Sequence, residues 1–208
     1  MFDEDKAAII SAAKCTSLVL LEENHTDGTT RKFYGTAFFV SENLLLTAGH
    51  ITVGVHGGNT QILITTPGLD EVQPWQVNQR KVPTIICKVA GTIYRRNGPF
   101  SNDIAILDAG SFRNSSYLSL SSALPKIKST VDVLGYPGYI KHEWIEAHTG
   151  VNDFDRGQKE AEKLLPRGHL TVTRGTLEHA GPTIPYKAST CPGMSGSCVL
   201  YKGAVVGS

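Results

Sequence analysis

The chain has no apolar run approaching the roughly 20 residues that cross a membrane as a helix. No secretory leader is expected either. Met1-Phe2-Asp3-Glu4-Asp5-Lys6 is acidic, and residues 7–13 are too short and too polar for an apolar targeting segment. Net charge is nearly absent, at +1, and no Lys/Arg cluster stands out. That argues against a nucleic-acid or membrane-facing surface. Cysteine is sparse: Cys15, Cys87, Cys191 and Cys198, with no zinc spacing among them. Without a leader, free thiols are the expected state. Together these absences predict a soluble, cytoplasmic protein with no cofactor or metal and with neither nucleic acid nor membrane as partner. The 208 residues suffice for one large domain or two small ones around a real core.

What is present is a succession of short β-rich runs punctuated by turn residues. Ala-rich residues 3–14 predict a helix, with Asp3 or Asp5 as its cap. Strands are expected over 16–21, 33–40, 44–47, 61–66, 84–89 and 91–94. An apolar run behind Asp103 carries the chain back into the core. Residues 110–130 are Ser-rich and read as a linker between two halves. Further strands are expected over 131–134, 169–173, 175–178, 186–189, 198–201 and 204–206. Residues 158–165 have helical periodicity inside an insertion. The pattern predicts an all-β barrel or sandwich with one terminal and one inserted helix.

Three stretches carry chemistry. In Cys191-Pro192-Gly193-Met194-Ser195-Gly196-Ser197-Cys198 a serine stands between two glycines. Such a loop can expose a hydroxyl while turning backbone amides toward an anion. Leu45-Leu46-Thr47-Ala48-Gly49-His50 is a strand that ends on histidine after two small residues. Asp103 precedes the apolar run Ile104-Ala105-Ile106-Leu107, where a carboxylate needs a hydrogen-bonding or cationic partner. Serine is a weak nucleophile and needs a base. Histidine titrates near neutrality, and a carboxylate fixes its tautomer. Amides at Gly193 and Ser195, in a loop that includes Met194, would stabilise an oxyanion.

Two competing readings are weaker. His142-Glu143-Trp144-Ile145-Glu146-Ala147-His148 puts its second histidine on the wrong side of a helix for a zinc site. Cys191 and Cys198 lack the setting of a thiol nucleophile and read as packing residues.

The three stretches, in the order His, Asp, Ser, resemble the signatures of trypsin-like (chymotrypsin-fold) serine peptidases. The resemblance runs over about residues 15–208. It implies two antiparallel β-barrels, 15–115 and 116–208, behind a helix at 1–14, with the site in the cleft between them. It implies a serine endopeptidase acting on a protein or peptide substrate, with His50, Asp103 and Ser195 as catalytic residues. The oxyanion hole would be Gly193, Met194 and Ser195, and the substrate pocket Ser189, Thr190 and Cys191. Met194 departs from the family, whose secreted digestive members carry an aspartate there. Ala48 and Ile51 stand where a disulfide usually flanks the histidine. Both departures resemble the glutamyl-endopeptidase, HtrA-like and fungal intracellular branches. No carboxylate lines the expected pocket, and Thr190 gives a weak pointer to acidic substrates. The sequence ends soon after Ser195, so either the second barrel is incomplete or further domains follow in a longer chain. An inactive interaction or effector module on the same fold is the alternative reading.

Overall fold

The structure is a computed structural model. It describes residues 3–52, 60–73, 76–77, 79–94, 103–122, 125–138, 145, 154–178, 186–188, 190–191 and 193–207. Helix α1, Asp3–Ala13, opens the chain. The Thr16 hydroxyl then donates to the Ala12 carbonyl at 2.8 Å, in a buried contact. Six strands follow: β1 Thr16–Asn24, β2 Thr30–Phe39, β3 Leu44–Thr47, β4 Thr60–Thr65, β5 Thr84–Tyr94 and β6 Asp103–Asp108. They close into an antiparallel barrel in the order β1-β2-β3-β6-β5-β4.

Strand β1 shows why the sequence there is apolar without alternation. Val19 and Leu21 enter one cluster with Ile62, Ile64 and Leu107. Leu18 and Leu20 lie in another, under Leu63, Val72 and Tyr136. Both faces are covered, so both must be hydrophobic.

The second unit is a five-stranded antiparallel sheet, ordered β11-β10-β7-β8-β9. Its strands are β7 Thr130–Gly135, β8 Thr171–Leu177, β9 Tyr186–Lys187, β10 Cys198–Tyr201 and β11 Ala204–Gly207. Among the described residues this sheet is open rather than closed into a second barrel. Helix α2, Phe154–Leu164, is inserted between β7 and β8. Gly157, Ala161 and Leu165 form its buried stripe, four residues apart. Ala161 and Leu165 join Val131, Val133 and Val199 of the sheet in one cluster. The two units share a core: Leu134, Cys198, Leu200 and Val205 lie in one cluster with Ala12, Cys15 and Phe38.

Two expectations need correction. The runs 84–89 and 91–94 are one strand, β5, whose register on β6 shifts between Val89 and Gly91. A bulge absorbs the extra residue and keeps the ladder continuous. The runs 169–173 and 175–178 likewise merge into β8. The Ser-rich stretch joins β6 of the barrel to β7 of the second sheet and is held down along the way. The Leu118 amide donates to Phe39 and the Ser121 amide to Val205, both at 2.8 Å, which straps it across both units.

Candidate active site

Strand β3 runs into a 3₁₀ turn, Gly49–Thr52, that presents His50. Its partner β6 begins on Asp103, and Thr47 pairs with Ala105, so the register brings residues 49 and 50 beside the carboxylate. A Cβ on residue 49 would come within 3.0–3.2 Å of the Ile104 backbone and the Asp103 carboxylate, closer than ordinary contact, so glycine fits there without displacing them. Asp103 then holds His50 twice. Oδ1 accepts from the His50 amide and Oδ2 contacts Nδ1, both at 2.6 Å. The side chains stay 45 % and 40 % exposed, so this contact orients the ring more than it stabilises the fold.

The serine loop comes from the second unit as two linked turns. The Met194 amide donates to the Cys191 carbonyl at 3.1 Å, and the Ser197 amide to the Met194 carbonyl at 2.9 Å. Gly193 and Gly196 hold the third positions, with φ of 93° and 83°. That conformation belongs to glycine in a type II turn. Space demands glycine as well. A Cβ on Gly193 would strike the backbone of Gly138 and Tyr136, and one on Gly196 the Thr36 carbonyl oxygen and the Thr47 hydroxyl.

Thr36 docks this loop onto the first barrel. Strand β3 pairs with β2 only from Ala37 onward, which leaves the β2 edge at Thr36 open. The Thr36 amide donates to the Ser195 carbonyl at 2.8 Å. Its hydroxyl donates to the Gly193 carbonyl at 3.1 Å and accepts from the Tyr136 amide at 3.0 Å. Its own carbonyl accepts from the Thr47 hydroxyl at 2.7 Å. Thr36 and Thr47 are fully buried, so these bonds have no water competing for them. Sequence reasoning passed over Thr36. The only signal was a hydroxyl just before the apolar run Ala37-Phe38-Phe39.

His50, Asp103 and Ser195 line one cleft of about 270 Å³ between the units, together with Thr190, Cys191 and Met194. The amides of Gly193 and Ser195 donate to no described residue, whereas that of Met194 is engaged with Cys191. Met194, expected in the oxyanion hole, thus lines the cleft with its amide already engaged. Its side chain lies in the apolar cluster with Ile145, Ala161 and Leu165. Cys191 borders the cleft, but burial pushes its thiol up to about 11, which keeps it protonated at neutral pH. Ser189, His142 and His148 lie outside the described residues. A second cavity, about 310 Å³ at β4 and β5, is lined by Thr52, Ile62, Cys87, Lys88 and Thr92, with no histidine or carboxylate among its described lining residues.

A closed barrel and a five-stranded sheet meet at a cleft lined by a histidine, an aspartate and a loop-borne serine. The chain belongs to the trypsin-like peptidase domain family, whose match spans residues 35–207. Among solved structures it is similar to one described as the crystal structure of Deg5. The TM-score is 0.61 at 14 % identity, over 99 % of this chain and 83 % of that one. At that identity the likeness bears on the fold alone. No curated protein matches the sequence.

Proposed function

We propose that the chain is a serine endopeptidase that hydrolyses peptide bonds through an acyl-enzyme. The observation that carries this reading is the two-point grip of Asp103 on His50 inside the cleft that also holds Ser195. With Nδ1–H donated to Asp103, the ring leaves Nε2 free to take a proton. Ser195 Oγ attacks the scissile carbonyl carbon and its proton passes to Nε2. The carbonyl oxygen becomes an oxyanion facing the Gly193 and Ser195 amides. The C–N bond then breaks, and His50 returns the proton to the departing amine. Water attacks the resulting ester by the same route and regenerates the Ser195 hydroxyl. No cofactor enters this scheme.

Thr190 and Cys191 offer no charge to a substrate side chain, which disfavours cleavage after Arg or Lys. Four buried, unpaired thiols support a reducing compartment such as the cytoplasm. A fluorophosphonate probe tests the assignment. Wild type is expected to label, and Ser195→Ala and His50→Ala are not. Absence of labelling in folded wild type would instead support a non-catalytic interaction module. A peptide library then reads the preference at the cleaved bond. Dominant cleavage after large apolar residues would reject an acidic preference.

A further inference from the structure

We infer that the Thr36 hydroxyl is a positioning residue for the oxyanion-binding amides. It would act across the junction between barrel and sheet by fixing the peptide planes of the serine loop. This rests on the peptidase reading above.

The loop's peptide planes are pinned one after another. The plane between Gly193 and Met194 is held at both ends. Its carbonyl accepts from the Thr36 hydroxyl at 3.1 Å, and its amide donates to Cys191 at 3.1 Å. The next plane has its carbonyl, Met194, held by the Ser197 amide at 2.9 Å. In a trans peptide the amide points opposite the carbonyl, so the Ser195 N–H is turned the other way. The third plane has its carbonyl, Ser195, held by the Thr36 amide at 2.8 Å.

Thr36 thus supplies two of these anchors, one from its backbone and one from its side chain. The backbone anchor survives any substitution other than proline. The side-chain anchor does not. The hydroxyl has a single proton, and the Tyr136 amide, which needs an acceptor, occupies a lone pair at 3.0 Å. That bond directs the proton toward Gly193. The relay runs from Tyr136 through Thr36 to Gly193, so it links the end of β7 to the serine loop by way of the first barrel. Without the hydroxyl, the Gly193 carbonyl and the Tyr136 amide lose a partner in a buried setting. The 193–194 plane then keeps only its Cys191 anchor, so the loop that carries the neighbouring amides is held less firmly. Preorganised donors work because they need no reorganisation as charge develops. A loosened loop would still bind substrate but would stabilise the transition state less.

The test is the rate of fluorophosphonate labelling of Ser195, because the phosphoryl oxygen of that probe takes the place of the oxyanion. Thr36→Val keeps the volume and removes the hydroxyl, whereas Thr36→Ser keeps the hydroxyl. The expected result for Val is a maximal inactivation rate lower by about 10–100-fold, less than deletion of a whole oxyanion donor, with the probe's apparent dissociation constant within about twofold of wild type. Ser should stay within about threefold of wild type. If Val does not fold, Thr36→Cys, near-isosteric with a weak S–H donor, takes its place and should fall between wild type and the loss expected of Val. Two outcomes overturn the inference while leaving the peptidase reading intact. One is a folded Val variant that labels as fast as wild type. The other is a Ser variant slowed as much as Val. Folded wild type that does not label overturns both.

Discussion

Asp103 accepts from the His50 amide with one oxygen and contacts the ring with the other. Replacing it with Asn keeps the first bond but sets an NH₂ group against Nδ1. The ring then carries its proton on Nε2, where it can no longer accept one from Ser195. Asp103→Asn is expected to fold normally and to lose about 10⁴-fold in kcat, as in the template triad. Steady-state hydrolysis of a peptide substrate, alongside a thermal melt, checks both halves. Met194 makes the opposite argument. It is 4 % exposed, within an apolar cluster of Val131, Val133, Ile145, Ala161, Leu165 and Val199. An aspartate there would be a lone buried charge, so Met194→Asp is expected to cost about 3–5 kcal/mol in urea unfolding. A destabilisation below about 1 kcal/mol would mean that a partner cation or water reaches this pocket. His50, Asp103 and Ser195 were legible in the sequence because their local settings announce chemistry: a strand end, a carboxylate before an apolar run, a serine between glycines. Thr36 was not, because its importance lies in partners 100 or more residues away.

Elements divide in the same way between local and distant causes. Helix α1, the β3 strand and the final hairpin followed from propensity and turn residues alone. Strand β5 did not, because Ala90 carries no mark of a bulge. Only the β6 ladder on its far side shows that pairing resumes after the shift. The first strand was read as ending at Leu21 but continues to Asn24. Its polar end is held by cross-strand pairing of Glu22 with Lys32, a 3.0 Å ion pair that single-strand propensity does not see. The serine loop is the element where backbone shape and packing demand the same residue. Alanine at Gly196 would bear left-handed strain and also overlap the Thr36 and Thr47 oxygens. Gly196→Ala is expected to lose about 2–6 kcal/mol of stability from strain and overpacking together. Equilibrium urea unfolding reads the loss directly. An unchanged midpoint would mean that the loop can leave the β2 edge at no cost.

At the scale of the molecule, the all-β architecture and the meeting of three distant motifs in one cleft were legible, because turn spacing and motif order survive without coordinates. The strapping of the 110–130 stretch across both units was not. It depends on long-range pairing, such as that of Ser119 and Ser121 with Val205. The shared core has a consequence for alkaline stability. It encloses Cys15, Cys87 and Cys198, while Cys191 lies in the neighbouring cluster. Burial pushes Cys15 and Cys191 from an ordinary 9.0 up to about 11, and Cys87 and Cys198 up to about 12. Above about pH 9 the unfolded chain releases thiol protons that the folded chain retains. The folded state then binds more protons, so stability falls as pH rises. Below about pH 9 both states hold these protons and the thiols contribute no slope. Burial raises the Tyr136 hydroxyl too, which adds loss of the same sign at higher pH. The thermal midpoint is therefore expected to fall steadily from about pH 9 upward, through the range bounded by the free and buried thiols. A Cys87→Val, Cys198→Ala double variant, matched at neutral pH, should show a shallower fall between about pH 9 and 11. If its slope equals that of wild type, the thiols titrate freely in the folded chain, and the two units do not close over a common dry core.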